Sequence, residues 1–288
     1  YIPRRICESL CATDILGFQT PQDRRCFIDT VEEFVPGAAV DRVNYTVDFE
    51  GHRSAVKVYP ISINVEEVKR IANSPRALDY EAQLATEAGE VTIVRIDRAE
   101  PNKNIIRGFR AYDLLLSRYP EFKGRVKFLA FLVPSRTHIR QYQRYMDEIQ
   151  QVIHQVNSNH GTDSWTPIVA YIENNYTQAI AGMKLYDALL VNTIVEGMNL
   201  VAKEGPVVNG RDGVLVLSHS SGVHHQLADG ALSVSPTDVE GTMEALHQAI
   251  TMSPQDRKDR ASLLIDSVCR EDVNDWIIHQ IEDISRLL

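Results

Sequence analysis

From residue 90 onward, short apolar runs alternate with longer amphipathic stretches. "VTIVRI" (91–96), "VKFLAFLV" (126–133), "PIVAYI" (167–172), "ALLVNT" (188–193), "GVLVLS" (213–218) and "ALSVS" (231–235) are too short and too uniformly apolar for anything but buried strands. Between them, apolar residues recur every three or four positions. "IIRGFRAYDLLLSRY" (105–119), "IRQYQRYMDEIQQVIHQVNSNH" (139–160), "TQAIAGMKLY" (177–186), a stretch opening near Met198, another from about Gly222, and "DVEGTMEALHQAITM" (238–252) therefore read as helices. Strand alternating with helix predicts an α/β fold built on a doubly wound, mostly parallel sheet. In such sheets ligands sit beyond the carboxyl ends of the strands, on the loops that lead into helices.

The first ninety residues follow a different pattern. A helix over 4–13, a strand "ILGFQ" and a helix from Pro21 to about residue 34 are expected, with Pro21 suited to a first helical turn. "AVDRVNYTVDF" and "RSAVKVYPISI" alternate as two strands of one hairpin, with Gly51 in the turn "EGH". After "YPISINVEEV" a polar, helix-prone stretch to Gly89 reads as a linker between domains. Neither an internal repeat nor a low-complexity tract interrupts the chain.

Composition narrows the function classes. The chain has 288 residues, 44% of them hydrophobic, and 30 basic against 39 acidic side chains for a formal charge of -9. That excess of acid argues against a nucleic-acid partner, which would require a basic face. No apolar run reaches the roughly 18 residues of a membrane span, so no membrane partner is expected. Cys7, Cys11, Cys26 and Cys269 are scattered without a CxxC pair, which suits reduced thiols in a cytoplasmic protein. "YIPRRICESL" has neither an initiator Met nor the apolar centre of a signal peptide and reads as the middle of a helix-forming region, so the chain is expected to be part of a longer one.

Three strand ends carry candidate chemistry. In "RIDRAEPNKN", Arg98 and Lys103 lie on a loop between a buried strand and a helix. Together they suit a diphosphate, Arg as a planar fork and Lys as a point charge, or they are solvated loop charges. Arg136, in "LVPSRTH", could meet an anion or simply face solvent. In "LLVNTIVEGMNLVAKEGPV", Gly197 permits close approach of a ligand, and a helix opening near Met198 would aim free N–H groups at a phosphate. Glu196 and Glu204, with seven residues between them, could each accept from a pair of sugar hydroxyls. The Lys203–Glu204 pair would then lie two turns into that helix. His219, His224 and His225 have no acid or Cys beside them to complete a metal site, and no Asp-x-Asp tripeptide occurs. The signatures of dinucleotide, P-loop and serine-hydrolase chemistry are likewise missing.

These segments together resemble the trehalose-6-phosphate synthase family, retaining glycosyltransferases of the GT-B type. "ATDILGFQTPQDRRCFID" and "VYPISIN" are similar to the family's late N-terminal domain and its crossover. "RIDRAEPNKN" stands in the place of its V-D-R-L-D-Y-x-K-G loop, and "VPSRTHIRQYQRY", "GTDSWTPI", "DALLVNTIVEGMNLVAKE", "GVLVLS", "ALSVSPTDVEGT" and "DVNDWIIHQI" follow in family order. The resemblance runs nearly end to end and covers about the C-terminal three-fifths of the family's length. It implies one complete Rossmann-like domain plus the last part of a second. Residues 1–62 would end the acceptor domain, 63–270 would bind the nucleotide sugar, and 271–288, around Trp276, would cross back to the acceptor domain.

By the same resemblance, Arg98 and Lys103 match the catalytic cations on the donor diphosphate. Gly197, Met198, Asn199, Leu200 and Val201 match the helix start around the donor sugar and phosphates. Glu204 matches the ribose carboxylate, and Arg136 an arginine on the acceptor's phosphate. Glu196 stands where these synthases usually carry Asp on the donor hexose, although Glu is common there in the wider class as the first acid of an E-x7-E motif. Val195 replaces a usual Arg, "AEPNKN" the commoner L-D-Y-x-K-G, and Gln226 a usual Glu. The implied reaction needs neither metal nor cofactor. The acceptor hydroxyl attacks on the face from which the diphosphate leaves, and the departing phosphate takes the proton. Expected partners are a nucleotide-diphosphate glucose donor and a sugar-phosphate acceptor, most simply glucose 6-phosphate, with homo-oligomerisation open. A validoxylamine-phosphate-synthase-like activity and a non-catalytic nucleotide-sugar-binding module are the alternatives.

Overall fold

The computed structural model describes residues 2–287, which fall into two compact units. One comprises the chain up to Ser62 together with the stretch from Glu271 onward; the other is Ile63–Arg270. The first unit begins with α1 (Ile2–Leu10), β1 (Ile15–Phe18) and α2 (Pro21–Phe34). Thr20 caps α2 by accepting from Asp23 N at 3.0 Å, and Pro21 takes a first-turn position, where no intrahelical N–H is needed. β2 (Ala39–Asp41), β3 (Thr46–Phe49) and β4 (His52–Val58) complete a sheet in the order β1-β4-β3-β2, with β1 parallel to β4 and the remaining pairs antiparallel. The β3–β4 turn uses Glu50 and Gly51 at φ of 51° and 82°, the positive pair that a tight two-residue hairpin demands. The segment 39–49, expected as a single strand, is in fact two. The Asp41 carboxylate accepts from Val43 N and Asn44 N at 2.8 and 2.9 Å, and this local capture turns the chain back on itself.

The second unit opens with α3 (Val65–Ala72) and α4 (Pro75–Glu87), capped by Asn64 and Ser74. This is the stretch expected to be a linker. Val65, Val68, Ala72 and Leu84 recur at helical spacing and are buried, so it packs on the sheet instead of spanning a gap. β5 (Val91–Arg98), α5 (Ile105–Arg118), β6 (Val126–Val133), α6 (Arg140–His160), β7 (Ile168–Ile172), α7 (Tyr176–Met183) and β8 (Ala188–Val191) follow. Then come α8 (Val201–Val208), β9 (Val214–Ser218), α9 (His224–Leu227), β10 (Leu232–Val234), α10 (Val239–Thr251) and α11 (Pro254–Arg270). All six strands are parallel, in the order β10-β9-β8-β5-β6-β7.

Strand alternation divides the core in two. Phe128, Ala130, Leu132, Leu190 and Val216 pack under α5, α6 and α10. Leu129, Phe131, Leu189, Leu215 and Leu217 meet α3, α4, α7, α8 and α11 on the other face. The sheet is therefore doubly wound, and its order reverses between β5 and β8. In the first unit, α12 (Val273–Ser285) starts on an Asp272 capping box. Trp276 Nε1 donates to the Tyr59 carbonyl at 3.1 Å, and Asp283 accepts from Tyr59 Oη at 2.9 Å and from Lys57 Nζ at 3.3 Å. No helix among the described residues is long and apolar enough to cross a membrane.

Candidate active site

β5 and β8 are neighbours, yet the chain leaves β5 for α5 on one face and β8 for α8 on the other. A reversal of strand order such as this is the position where open α/β sheets bind ligands. The two loops are also tied together, since Ile194 N donates to the Asn102 carbonyl at 2.8 Å. Arg98, the last residue of β5, leads into the first loop, Lys103 lies on it, and Glu196 to Leu200 come from the second.

A buried polar floor supports both loops. Arg95 is wholly buried in β5, with Nε and Nη2 at 3.1 and 2.7 Å from Asp97 Oδ2. It also donates to the carbonyls of Lys103 (3.0 Å) and Ile105 (3.3 Å) and to Asn192 Oδ1 (3.3 Å). Gly108 makes room for it, because a Cβ there would lie 2.3 Å from Arg95 Nη1. Burial pushes the Asp97 carboxyl up, opposed by the charges of Arg95 and Lys103. Asn104 stands where the family pattern has Gly. It keeps the left-handed conformation at φ 59°, which Asn tolerates, and its carboxamide donates to the carbonyls of Asn192 (2.9 Å) and Pro236 (2.6 Å).

Above this floor Lys103 Nζ is paired with Glu196 Oε1 and lies 3.9 Å from Asp97 Oδ1. The second Glu196 oxygen accepts from Asn199 Nδ2 at 2.9 Å. Glu196 is further fixed through its backbone, whose carbonyl accepts from Gly222 N at 2.9 Å. Gly197 is exposed and leaves the loop open. Val195, in place of the usual Arg, points to solvent.

The helix expected from Met198 begins later, at Val201, with Leu200 at its N-cap. Asn199 explains the delay: its Oδ1 accepts from Ala202 N at 3.1 Å, which terminates the loop as a capping side chain does. Lys203 and Glu204 consequently lie in the first turn of α8, where both are buried, and not two turns in. The Glu204 carboxylate accepts from Tyr176 Oη at 2.8 Å. Burial pushes Glu204 above the ordinary carboxylate range, with the Tyr176 bond pulling the other way. Burial, then the Glu204 charge, pushes the Tyr176 phenol up.

The remaining predicted residues sit to one side. Arg98 ends β5 with 58% of its side chain exposed, and its Nη1 donates to Glu100 Oε1 at 2.8 Å. The same oxygen of the buried Glu100 accepts from Ser135 Oγ at 2.7 Å, linking the β5 loop to the β6 loop. Arg136 has φ 46° and donates to Tyr142 Oη at 2.7 Å, with its guanidinium over that ring. Gln226 donates to the Ser267 carbonyl at 3.1 Å and so ties α9 to α11. Of the three histidines, His219 and His224 bond to Ser220 and Ser233. Among the described residues no cluster of three or more His, Cys, Asp or Glu could hold a metal ion.

Sequence reading missed Arg95, Asp97, Glu100, Asn104 and Tyr176. A signal existed for the first two. A charged residue inside the apolar run "VTIVRI" needs a buried counter-charge, and Asp97, two positions on, shares its face.

Glu204 carries a testable consequence. Its carboxyl pKa is raised on folding, so the folded state holds the proton more tightly than the unfolded one. Its contribution to stability is therefore most favourable below the unfolded value of about 4.3 and declines as pH rises toward the raised folded value. Glu204→Gln, which keeps an acceptor for Tyr176, is expected to raise the melting temperature at pH 7 while the gain vanishes near pH 4. Thermal melts of both proteins across that range check it.

Comparison with known proteins agrees with this architecture. The family model described as glycosyltransferase family 20 matches residues 2–286. A trehalose-6-phosphate synthase of Citrobacter koseri is 31% identical over 285 residues, covering 97% of this chain and 59% of the relative. A structure described as trehalose-6-phosphate from E. coli bound with UDP-2-fluoro glucose superposes at TM-score 0.90, with 28% identity over 99% of this chain and 63% of that one. An α,α-trehalose-phosphate synthase (UDP-forming) from Burkholderia xenovorans in complex with glucose-6-phosphate superposes at 0.89, with 28% identity over 98% and 62% of the two chains. The chain thus spans about three-fifths of the length of the relatives it matches. With a six-stranded sheet in the Rossmann order, a GT-B type fold and a family match that runs almost from end to end, the chain belongs to glycosyltransferase family 20.

Proposed function

We propose that this chain supplies the donor-binding part of a retaining glycosyltransferase that moves glucose from a nucleoside diphosphate to glucose 6-phosphate, giving trehalose 6-phosphate. The observation that carries this reading is the meeting of two loops at the reversal point of the sheet. One bears Arg98 and Lys103, and the other runs from Glu196 into the first turn of α8, which carries Glu204. Residues 63–270 would form the nucleotide-sugar domain, and the other unit would belong to the acceptor side. The relatives solved with UDP-2-fluoro glucose and with glucose-6-phosphate support the two substrate classes. The free cysteines Cys7, Cys11, Cys26 and Cys269 suit a cytoplasmic setting.

In this reading the acceptor hydroxyl attacks the anomeric carbon on the face that the diphosphate leaves. The bond from that carbon to the phosphate oxygen breaks, and the departing oxygen takes the hydroxyl's proton. The protein's task is then to stabilise charge on the leaving group, through Arg98, Lys103 and the Met198 and Asn199 amides on the approach to α8. Glu196 would accept from hydroxyls of the hexose, Glu204 from those of the ribose, and Arg136 would hold the acceptor's phosphate. The test is turnover by the full-length protein given UDP-, GDP- or ADP-glucose with glucose 6-phosphate, followed by mass spectrometry. Trehalose 6-phosphate from one of the donors is expected. Nucleotide binding without any transfer would instead make the protein a binding module.

A further inference from the structure

The amine assigned above to the diphosphate already has an anion. Lys103 Nζ is paired with Glu196, and the two side chains are only 9% and 14% exposed. Asp97 is the other nearby carboxylate, but it is held by both Nε and Nη2 of Arg95 within the floor and cannot readily leave. Glu196 differs. It lies on the loop above the floor, and Asn199 Nδ2 also donates to its carboxylate. We propose that Glu196 is a resident counter-anion for Lys103, displaced by the diphosphate of an incoming nucleotide and handed over to the sugar. The proposal rests on the donor-site reading given above and adds a control step to it.

The physical argument is one of competition. A diphosphate and the Glu196 carboxylate compete for one buried ammonium, because two anions brought close together repel each other where screening is weak, and Asp97, unlike Glu196, is already offset by Arg95. When a phosphate oxygen takes Lys103, the released Glu196 carboxylate keeps Asn199 and has lost its ammonium partner. Hexose hydroxyls supply donors in its place, whereas a nucleoside diphosphate without its sugar does not. The exchange therefore penalises the product nucleotide more than the sugar nucleotide. It favours donor over product at a single site, using one side chain as the balance. The extra methylene of Glu relative to Asp gives this carboxylate the reach to touch both positions.

The test is calorimetric titration of the full-length wild type, Glu196→Gln and Glu196→Asp with uridine, UDP and UDP-glucose. Glu196→Gln removes the competing charge at nearly constant shape, and UDP should bind about tenfold more tightly, since a factor of ten is a modest share of a close charge pair. UDP-glucose should gain less, because the variant also loses a partner for the sugar. Uridine, which has no phosphate, should be unaffected. Glu196→Asp, with its shorter reach toward Lys103, should shift UDP in the same direction and serves if the Gln variant does not fold. UDP binding to both folded variants at or below wild-type affinity would overturn the proposal and leave the donor site standing. If the transfer assay selects guanosine or adenosine, the matching nucleoside, diphosphate and glucose conjugate replace the uridine series; failure of the wild type to bind any of UDP, GDP, ADP or their glucose conjugates would overturn the donor site and the proposal together.

Discussion

Arg98→Ala in the full-length protein is expected to lower kcat/KM for glucosyl transfer by about a hundredfold or more while leaving its melting temperature nearly unchanged. The two halves of that expectation have separate causes. Arg98 is more than half exposed, and its hydrogen bond is to Glu100, which keeps Ser135 as a second donor. Removing an exposed cation from such a pair has a small effect on folding. A guanidinium on a departing diphosphate is another matter, because a charge-assisted bond contributes on the order of 1.5–3 kcal/mol. At 1.36 kcal/mol per decade, one such bond is worth about ten- to a hundredfold, and two oxygens gripped by one fork exceed that. Steady-state kinetics on the folded variant decide it. Near-normal turnover would remove Arg98 from the reaction.

Arg95→Ala is expected to act in the opposite sense, on the fold before the chemistry. Truncation leaves the Asp97 carboxylate buried with Lys103 at 3.9 Å as its nearest cation, and it strips a donor from Lys103 O, Ile105 O and Asn192 Oδ1. Breaking a buried ion pair from one side costs about 3–5 kcal/mol. A loss of that size is a large part of a domain's total stability. Urea unfolding monitored on the protein should show the midpoint fall sharply. Pairing Arg95→Met with Asp97→Leu should restore much of it, because apolar groups of similar volume need no counter-charge. An Arg95→Ala midpoint equal to wild type would show that the floor carries no structural load.

Arg98 and Arg95 lie three residues apart and were not equally visible in the sequence. Arg98 stood at a strand end, where a cation invites a functional reading. Arg95 sat inside a strand and was absorbed into an apolar run. The difference lies in what each residue answers to. Arg98 is oriented by its own loop, whereas Arg95 is satisfied by Ile105 on α5 and Asn192 after β8, partners 10 and 97 positions away. A pattern with a window of a dozen residues cannot see the contact to Asn192. The misplaced start of α8 has a local cause instead. Hydrophobic periodicity begins at Met198, but the Asn199 carboxamide captures Ala202 N and postpones the first turn. The stretch read as a linker differs for a third reason: its apolar positions are few, but Val65, Val68 and Ala72 share one face of α3, and Leu84 is buried from α4.

What the sequence determined by itself was the alternation of strand and helix, and with it a doubly wound parallel sheet and the strand ends worth examining. Those follow from backbone geometry and burial, whose periods of 2 and 3.6 are written locally into the residues. Only the tertiary structure decided that the loop after β5 and the loop after β8 meet, since strand order is a matter of long-range pairing. Glu196 illustrates the division. As a letter it was a carboxylate at a strand mouth, one methylene longer than its family position favours. In the fold it is the partner of Lys103, 93 positions earlier, because sheet order places β5 beside β8 and burial makes a lone ammonium there too costly to leave unpaired.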